Sequence, residues 1–341
     1  MKNEYLLDRR AFLGASAVGL AGIAVANVSY AASGLVVKIA ASRNAAAPVW
    51  NLGTVAPRFG FSVEMSILFT YAEQARAAHL GQTNSATCGI DTMSTVADQN
   101  ITNLRYIAAN QYGAQNLVMR KGVEVNKWSE LEGRNIGVVP GTWARVQFLI
   151  AAKEGGADVG KIKLVNVSVG ATATEALRRG DVDGVVLFSP QSDQLVVSGV
   201  GHYPPKLDIG ACSLGNANSG LLASSDLLAD KELATNLMKA YLASMQEIRD
   251  EEYFKKLVVS VTGVTPEVAA LSFRNMVFSE KIDVNAIVGA AKLGPQFGFT
   301  KTDASGKVES LIDFAPLMAA TGKSRAELTG PPKEALAIVR R

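Results

Sequence analysis

Cysteine and histidine are almost absent: the 341 residues contain two of each. Two cysteines cannot build a disulfide scaffold or a cysteine-rich zinc site. Two histidines, His79 and His202, leave little for histidine-based metal or nucleophile–base chemistry. Charge of one sign is lacking too. Lys plus Arg is 34 and Asp plus Glu is 31, a net of +3. Such a balance gives no electrostatic footprint for nucleic acid. Apolar residues are plentiful at 48 % and charged ones modest at 19 %. The chain therefore buries large cores and is not disordered. At about 150 residues per domain, its length predicts two lobes.

Residues 1–31 read as an address rather than as fold. Lys2, Arg9 and Arg10 form a basic start. An uncharged, Ala- and Gly-rich run follows from Leu13 to Val28, shorter than the about 20 residues of a membrane span. Ser29-Tyr30-Ala31 then places small residues at a cleavage site. Arg9-Arg10-Ala11-Phe12-Leu13 resembles the twin-arginine export signal, with Asp8 and Gly14 as departures from its usual flanks. A periplasmic address is expected, with a retained anchor helix as the alternative. In that oxidising compartment Cys88 and Cys212 are expected as two buried free thiols, and a disulfide between them stays open.

The body reads as strands alternating with helices, twice. Leu35–Ala40 is a predicted strand, a helix from Pro48 ends at Gly60, and Phe61–Phe69 is a strand with Val63, Met65 and Ile67 on one face. Tyr71–Leu80 is a helix stopped by Gly81, and Ser85–Ile90 and Leu104–Ala109 are strands. Asp91-Thr92 is expected to cap the helix between them. The order repeats with strands at 134–139, 161–167 and 183–188 and helices at 143–153 and 172–179. Gly81 and Gly180 have the same separation as Leu35 and Arg134. After Pro204-Pro205 come a strand at 207–214, a strand-like 221–224, and helices at 233–249, 251–259, 266–276 and 311–321. Alternation of this kind gives mostly parallel sheets covered on both faces. Residues 32–119 and 208–341 are expected to form lobe 1, discontinuous in sequence, and 120–207 lobe 2, with two crossing strands as a hinge.

The second lobe carries a family signature. Leu131-Glu132-Gly133-Arg134-Asn135-Ile136-Gly137-Val138 leads into Pro140-Gly141-Thr142. Later come Ala176-Leu177-Arg178-Arg179-Gly180-Asp181-Val182-Asp183-Gly184 and Ser189-Pro190. This resembles the solute-binding proteins of ABC importers for nitrate, sulfonates and taurine, the thiamine-pyrimidine-synthase-like family. Arg134 stands where Lys is usual and Gly184 where Ala is usual. The resemblance implies an α/β fold: the two-lobed periplasmic-binding-protein fold of the second type, with mostly parallel sheets and two crossover strands. It does not fix the ligand.

Physical reasoning reaches the same site. Ligands in open α/β sheets bind beyond the carboxyl ends of strands, where helices begin. Those points are Ser42-Arg43-Asn44, Thr70-Tyr71, Ile90-Asp91-Thr92, Gly141-Thr142-Trp143 and Ser189-Pro190-Gln191. Converging amides and helix dipoles favour a small anion, each dipole by about 0.3–1 kcal/mol. Arg43 and Arg145 are its candidate charged partners. Trp50, Tyr112, Trp143 and Phe188 are candidates for an apolar wall, and Asn216 and Asn218 for its border. Each has a plainer alternative: a core position for Trp50, a solvated helix start for Arg145, a cap for Asp91. For a zwitterion, Asp91 is instead expected to meet the ammonium. Asp181 and Asp183 read as a turn rather than an acid–base pair.

The expected function is a periplasmic receptor that closes on a small anion (sulfonate, nitrate, carboxylate or similar) and docks on an ABC permease of the inner membrane. No catalysis, cofactor, metal or nucleic acid is expected. Two rivals stay open: a pyrimidine-precursor-synthase-like enzyme on the same fold, and a ligand-sensing module for a membrane kinase.

Overall fold

The computed structural model describes residues 34–44, 46–168 and 170–337. The expected export segment, residues 1–31, lies outside them. The first lobe starts with β1 (Val36–Ala41), α1 (Ala47–Val55), β2 (Ser62–Ile67), α2 (Tyr71–His79), β3 (Ser85–Gly89) and α3 (Ile90–Asp98). Local chemistry sets these limits. Pro48 sits in the first turn of α1, and Gly60, at φ 83°, ends the 3-10 turn that follows it. Only glycine takes that left-handed conformation at no steric cost. The outer strand β2 has only half-buried and exposed side chains, as a sheet edge does.

The long β4 (Leu104–Gly113) turns at Ala114 directly into β5 (Gln115–Arg120), so the chain enters the second sheet at Gln115, slightly before the expected boundary at 120. The second lobe continues as β6 (Asn135–Val138), α4 (Trp143–Glu154), β7 (Lys163–Asn166), α5 (Ala171–Arg179), β8 (Gly184–Phe188), α6 (Gln191–Val197) and β9 (Gly201–His202). The Asp183 carboxylate accepts from the Asn135 amide at 3.0 Å and pairs with Arg120 at 3.7 Å. The chain returns through β10 (Ala217–Ser224), then α7 (Ser225–Ala229), α8 (Lys231–Glu247), α9 (Glu251–Thr262), α10 (Pro266–Arg274), β11 (Met276–Phe278), α11 (Val284–Phe297), α12 (Ser305–Val308), α13 (Ala315–Thr321) and α14 (Arg325–Leu328).

One sheet has the order β11-β4-β10-β3-β1-β2, the other β7-β6-β8-β5-β9. The blocks β2-β1-β3-β10 and β7-β6-β8-β5 share one layout, the same repeat that the glycine spacing predicts. Both sheets are mixed. The βαβ units pair in parallel, while β10 runs antiparallel to β3 and β4, and β5 antiparallel to β8 and β9. Antiparallel pairing enters where the chain crosses between lobes.

Two expected elements differ. The strand at 207–214 is a 3-10 turn at Ile209–Ala211, closed by the Asp208 carboxylate accepting from the Gly210 amide at 2.8 Å. The helix at 311–321 starts only at Ala315, where Asp313 accepts from the Ala315 amide at 2.8 Å and Pro316 fits the first turn. Cys88 and Cys212 are free and buried.

Helix α4 belongs to two cores. Trp143, Val146 and Ile150 pack into the cluster of the first lobe, whereas Ala144, Phe148 and Leu149 pack into that of the second. A third cluster, of α9, α10 and β11 with Ala114, sits behind the crossing. Among the described residues no single helix is long and apolar enough to cross a membrane.

Candidate functional site

Five loops following β1, β2, β3, β6 and β8 face one cleft of about 1350 Å³ between the two sheets. Of the residues the sequence singles out, Arg43, Asn44, Tyr71, Asp91, Thr92, Gly141, Thr142, Trp143, Ser189 and Gln191 line it, as do Phe188 and Asn218. Trp50, Tyr112, Arg145 and Asn216 do not. The Trp50 ring packs on the first core and its Nε1 donates to the Ser42 carbonyl at 3.2 Å. Tyr112 is buried, and its hydroxyl donates to the Lys281 carbonyl at 2.7 Å. Arg145 is half-buried on α4, outside the cleft wall. The Asn216 amide donates to the Ala335 carbonyl at 3.0 Å.

The helix starts are not equivalent, which corrects the expectation of five similar donor loops. At α2, Thr70 and Glu73 form a reciprocal capping box. The Glu73 amide donates to Thr70 Oγ1 at 3.2 Å, and the Thr70 amide donates to Glu73 Oε2 at 2.9 Å. The Thr70 amide and hydroxyl, both donating to it, hold the Glu73 carboxyl below its usual range. An acid already occupies that helix start. At α3 the cap is Gly89, not Asp91-Thr92, and Asp91 sits inside the first turn. At α6, a helix of seven residues, Asp193 lies in the first turn. Of the helices that follow the cleft loops, α1 and α4 start without a side-chain cap or an acid, and at α1 Pro48 takes up one of the first amide positions. The α4 cap residue Thr142 donates its hydroxyl to the Val139 carbonyl at 2.8 Å and accepts nothing from the helix amides. Gly141, at φ 70°, makes the turn before it. An uncapped helix N-terminus in a cleft is an anion site by its amides and its dipole.

Trp143 fixes that helix start. Its ring is 2 % exposed, and Nε1 donates to the Ala217 carbonyl at 3.0 Å. One turn on, Gln147 Nε2 donates to the Gly215 carbonyl at 2.5 Å. Both bonds reach from lobe 2 to the return crossing. Across the cleft, Asn44 shapes the loop after β1. Its Oδ1 accepts from the Ala46 amide at 2.9 Å and its Nδ2 donates to Ser42 Oγ at 2.9 Å, leaving the neighbouring Arg43 exposed in the wall.

Asp91 and Tyr71 form the electrostatic feature of the first-lobe wall. Burial pushes the Asp91 carboxyl up to about 6, against the hydrogen bonds from the Thr92 and Asp91 amides. Burial likewise pushes the Tyr71 hydroxyl up to about 12, opposed by a hydrogen bond with Ser219. Burial also raises the thiol of Cys88 beneath them, and the Asp91 charge adds to it. Gly89 is what allows this packing. A Cβ there would fall 2.3 Å from Asp91 Oδ1 and 2.9 Å from Tyr71 Cδ2. Its backbone is ordinary extended chain, so the obstacle is the close approach alone. Gly89→Ala is expected to leave the circular-dichroism spectrum intact and to weaken ligand binding tenfold or more by calorimetry, because both side chains must move. Unchanged affinity would remove them from the site.

Sequence reasoning missed Gln111 and Gln115, which line the cleft floor, and Ile67, Phe69, Leu80 and Phe299, which give it an apolar wall. A signal existed. Asn110-Gln111 and Gln115-Asn116 are polar pairs within an otherwise apolar run that crosses between the lobes, and all four are buried. Among the described residues no group of three or more His, Cys, Asp or Glu is placed to hold a metal ion.

Residues 63–251 match the family model described as NMT1/THI5 like. The chain belongs to the NMT1/THI5-like family. No curated protein matches it in sequence. Solved structures do match this NMT1/THI5-like chain in fold. The periplasmic aliphatic sulphonate binding protein SsuA from Escherichia coli has a TM-score of 0.71 at 13 % identity, covering 82 % of this chain and 92 % of its own. The periplasmic nitrate-binding protein NrtA from Synechocystis PCC 6803 has 0.68 at 13 % identity, covering 88 % and 90 %. The desulfurization enzyme DSZB has 0.62 at 14 % identity, covering 84 % and 99 %. The NMT1/THI5-like chain thus has the two-lobed periplasmic-binding-protein fold.

Proposed function

We propose that this chain is the solute-binding component of an ABC importer. It is exported to the periplasm, by the twin-arginine route that Arg9-Arg10 resembles, closes on a small organic anion, and delivers it to a permease in the inner membrane. The observation that carries this reading is the cleft between the sheets, with the uncapped start of α4 on one side and Arg43 on the other. The relatives named as sulfonate- and nitrate-binding proteins support it. The mechanism is closure. The chain crosses at Gly113-Ala114 and again before β10, so the lobes turn about two connections. A ligand held by amides of one lobe and a guanidinium of the other binds the closed form better, and that difference drives closure.

Titration calorimetry of the exported protein with small sulfonates, carboxylates and nitrate is the test. At least one is expected to bind at micromolar concentration. Arg43→Ala is expected to weaken it tenfold or more, given about 1.5–3 kcal/mol for a charged hydrogen bond, while Arg145→Ala stays within about twofold. No ligand binding tighter than millimolar would sink the reading.

A further inference from the structure

Four acceptor oxygens in the cleft wall are buried and have no hydrogen-bond partner among the described residues: Asp91 Oδ1, Gln111 Oε1, Gln115 Oε1 and Gln191 Oε1. Gln111 and Gln115 are 4 % and 3 % exposed. A buried acceptor without a donor is costly, and folded proteins keep few. Four in one cavity, contributed by α3, β4, β5 and α6, are a complement for something that brings donors. They come from both lobes and both sides of the first crossing. A turned glutamine amide would offer an N–H instead, but an ionised carboxylate only accepts, so Asp91 fixes the polarity of the set.

Two further features narrow the class. Phe69, Leu80 and Ile67 line the same cleft while 87 %, 55 % and 41 % exposed, an apolar surface with no cover. Arg43 and the start of α4 supply the anion end. Nitrate and sulfate have neither N–H donors nor an apolar body and would leave most of this lining unmatched. We infer that the ligand is an amino-bearing organic anion, its nitrogen donors held by Asp91, Gln111, Gln115 and Gln191, its anionic group facing Arg43, and its apolar body against Phe69 and Leu80. This rests on the binding-protein reading above and names its ligand class.

The test uses matched pairs that differ by one amino group: 2-aminoethanesulfonate against ethanesulfonate, 4-(aminomethyl)benzoate against 4-methylbenzoate, and 4-aminobenzenesulfonate against benzenesulfonate. Calorimetry of the exported protein is expected to show the amino member of at least one pair binding tenfold tighter or more. Gln111→Leu and Gln115→Leu are expected to cut that preference at least threefold. Should either fail to fold, Asp91→Asn reads the same preference. Equal or reversed affinities in every pair overturn the donor assignment and leave the anion-binding reading standing. A preference that survives the substitutions also overturns it. Binding of no member of any pair overturns both.

Discussion

Replacing Asp193 by alanine is expected to lower the unfolding free energy by about 3–5 kcal/mol, the range for removing one partner from a buried charged network. Asp193 is fully buried at the start of α6, in lobe 2. Its Oδ2 accepts from the Ser272 hydroxyl at 2.5 Å, and its Oδ1 accepts from Asn275 Nδ2 at 2.6 Å and from the Tyr203 hydroxyl. Ser272 belongs to α10 and Asn275 caps it, so this one carboxyl ties the second lobe to the helices behind the crossing. Alanine removes the acceptor that Ser272, Asn275 and Tyr203 share and opens a void. Asparagine preserves the shape and one acceptor, and hydroxyl donors can turn to suit it, so Asp193→Asn is expected to lose about 1–2 kcal/mol. Urea unfolding followed by fluorescence and circular dichroism measures both. A loss below about 1 kcal/mol for alanine would mean that water replaces the carboxyl and that the tie is not structural.

The order of elements was legible because each βαβ unit has its own local punctuation. Gly60, Gly81 and Gly180 end their turns in left-handed conformation, and Pro48 lies at a helix start, as read. Sheet direction was less legible. A strand's apolar run does not reveal its neighbour, and β10 runs between two strands from much earlier in the chain. The cleft was legible at its loops, since ligand sites in such sheets follow strand carboxyl ends. Its inequality of charge was not. A threonine before a helix reads as a cap at Thr70 and at Thr142 alike. Only the fold distinguishes them: the first is engaged by Glu73, while the second turns away to Val139. Arg145 and Trp50 illustrate the remaining difficulty. Both are near cleft loops in sequence, but the helical period aims a residue two or three places on at a different face.

Asp91→Asn is expected to stabilise the ligand-free protein at neutral pH by up to about 3 kcal/mol while weakening its hold on an amino-bearing ligand. The unfolded carboxyl gives up its proton near 3.8, the folded one near 6. Between those values the folded state binds more protons than the unfolded, so stability falls as pH rises through that window and the full cost is present above it. At about 1.4 kcal/mol per pH unit, a separation of about two units gives the figure above. Asparagine carries no charge and keeps an acceptor oxygen in place. Wild type and variant should therefore differ most at pH 7–8, and the difference should shrink to a small remainder near pH 4 and vanish below 3.8. Urea unfolding at pH 4, 5, 6 and 7 measures this directly, and a gap that does not shrink on acidification would show that the Asp91 charge is not what destabilises the fold. The same substitution tested with 2-aminoethanesulfonate then separates two roles. A residue that merely packs gains stability and keeps its affinity. A residue held ionised in a dry wall for a ligand's nitrogen gains stability and loses affinity, because the charge that burdens the empty cleft is the one that fills the ligand's need.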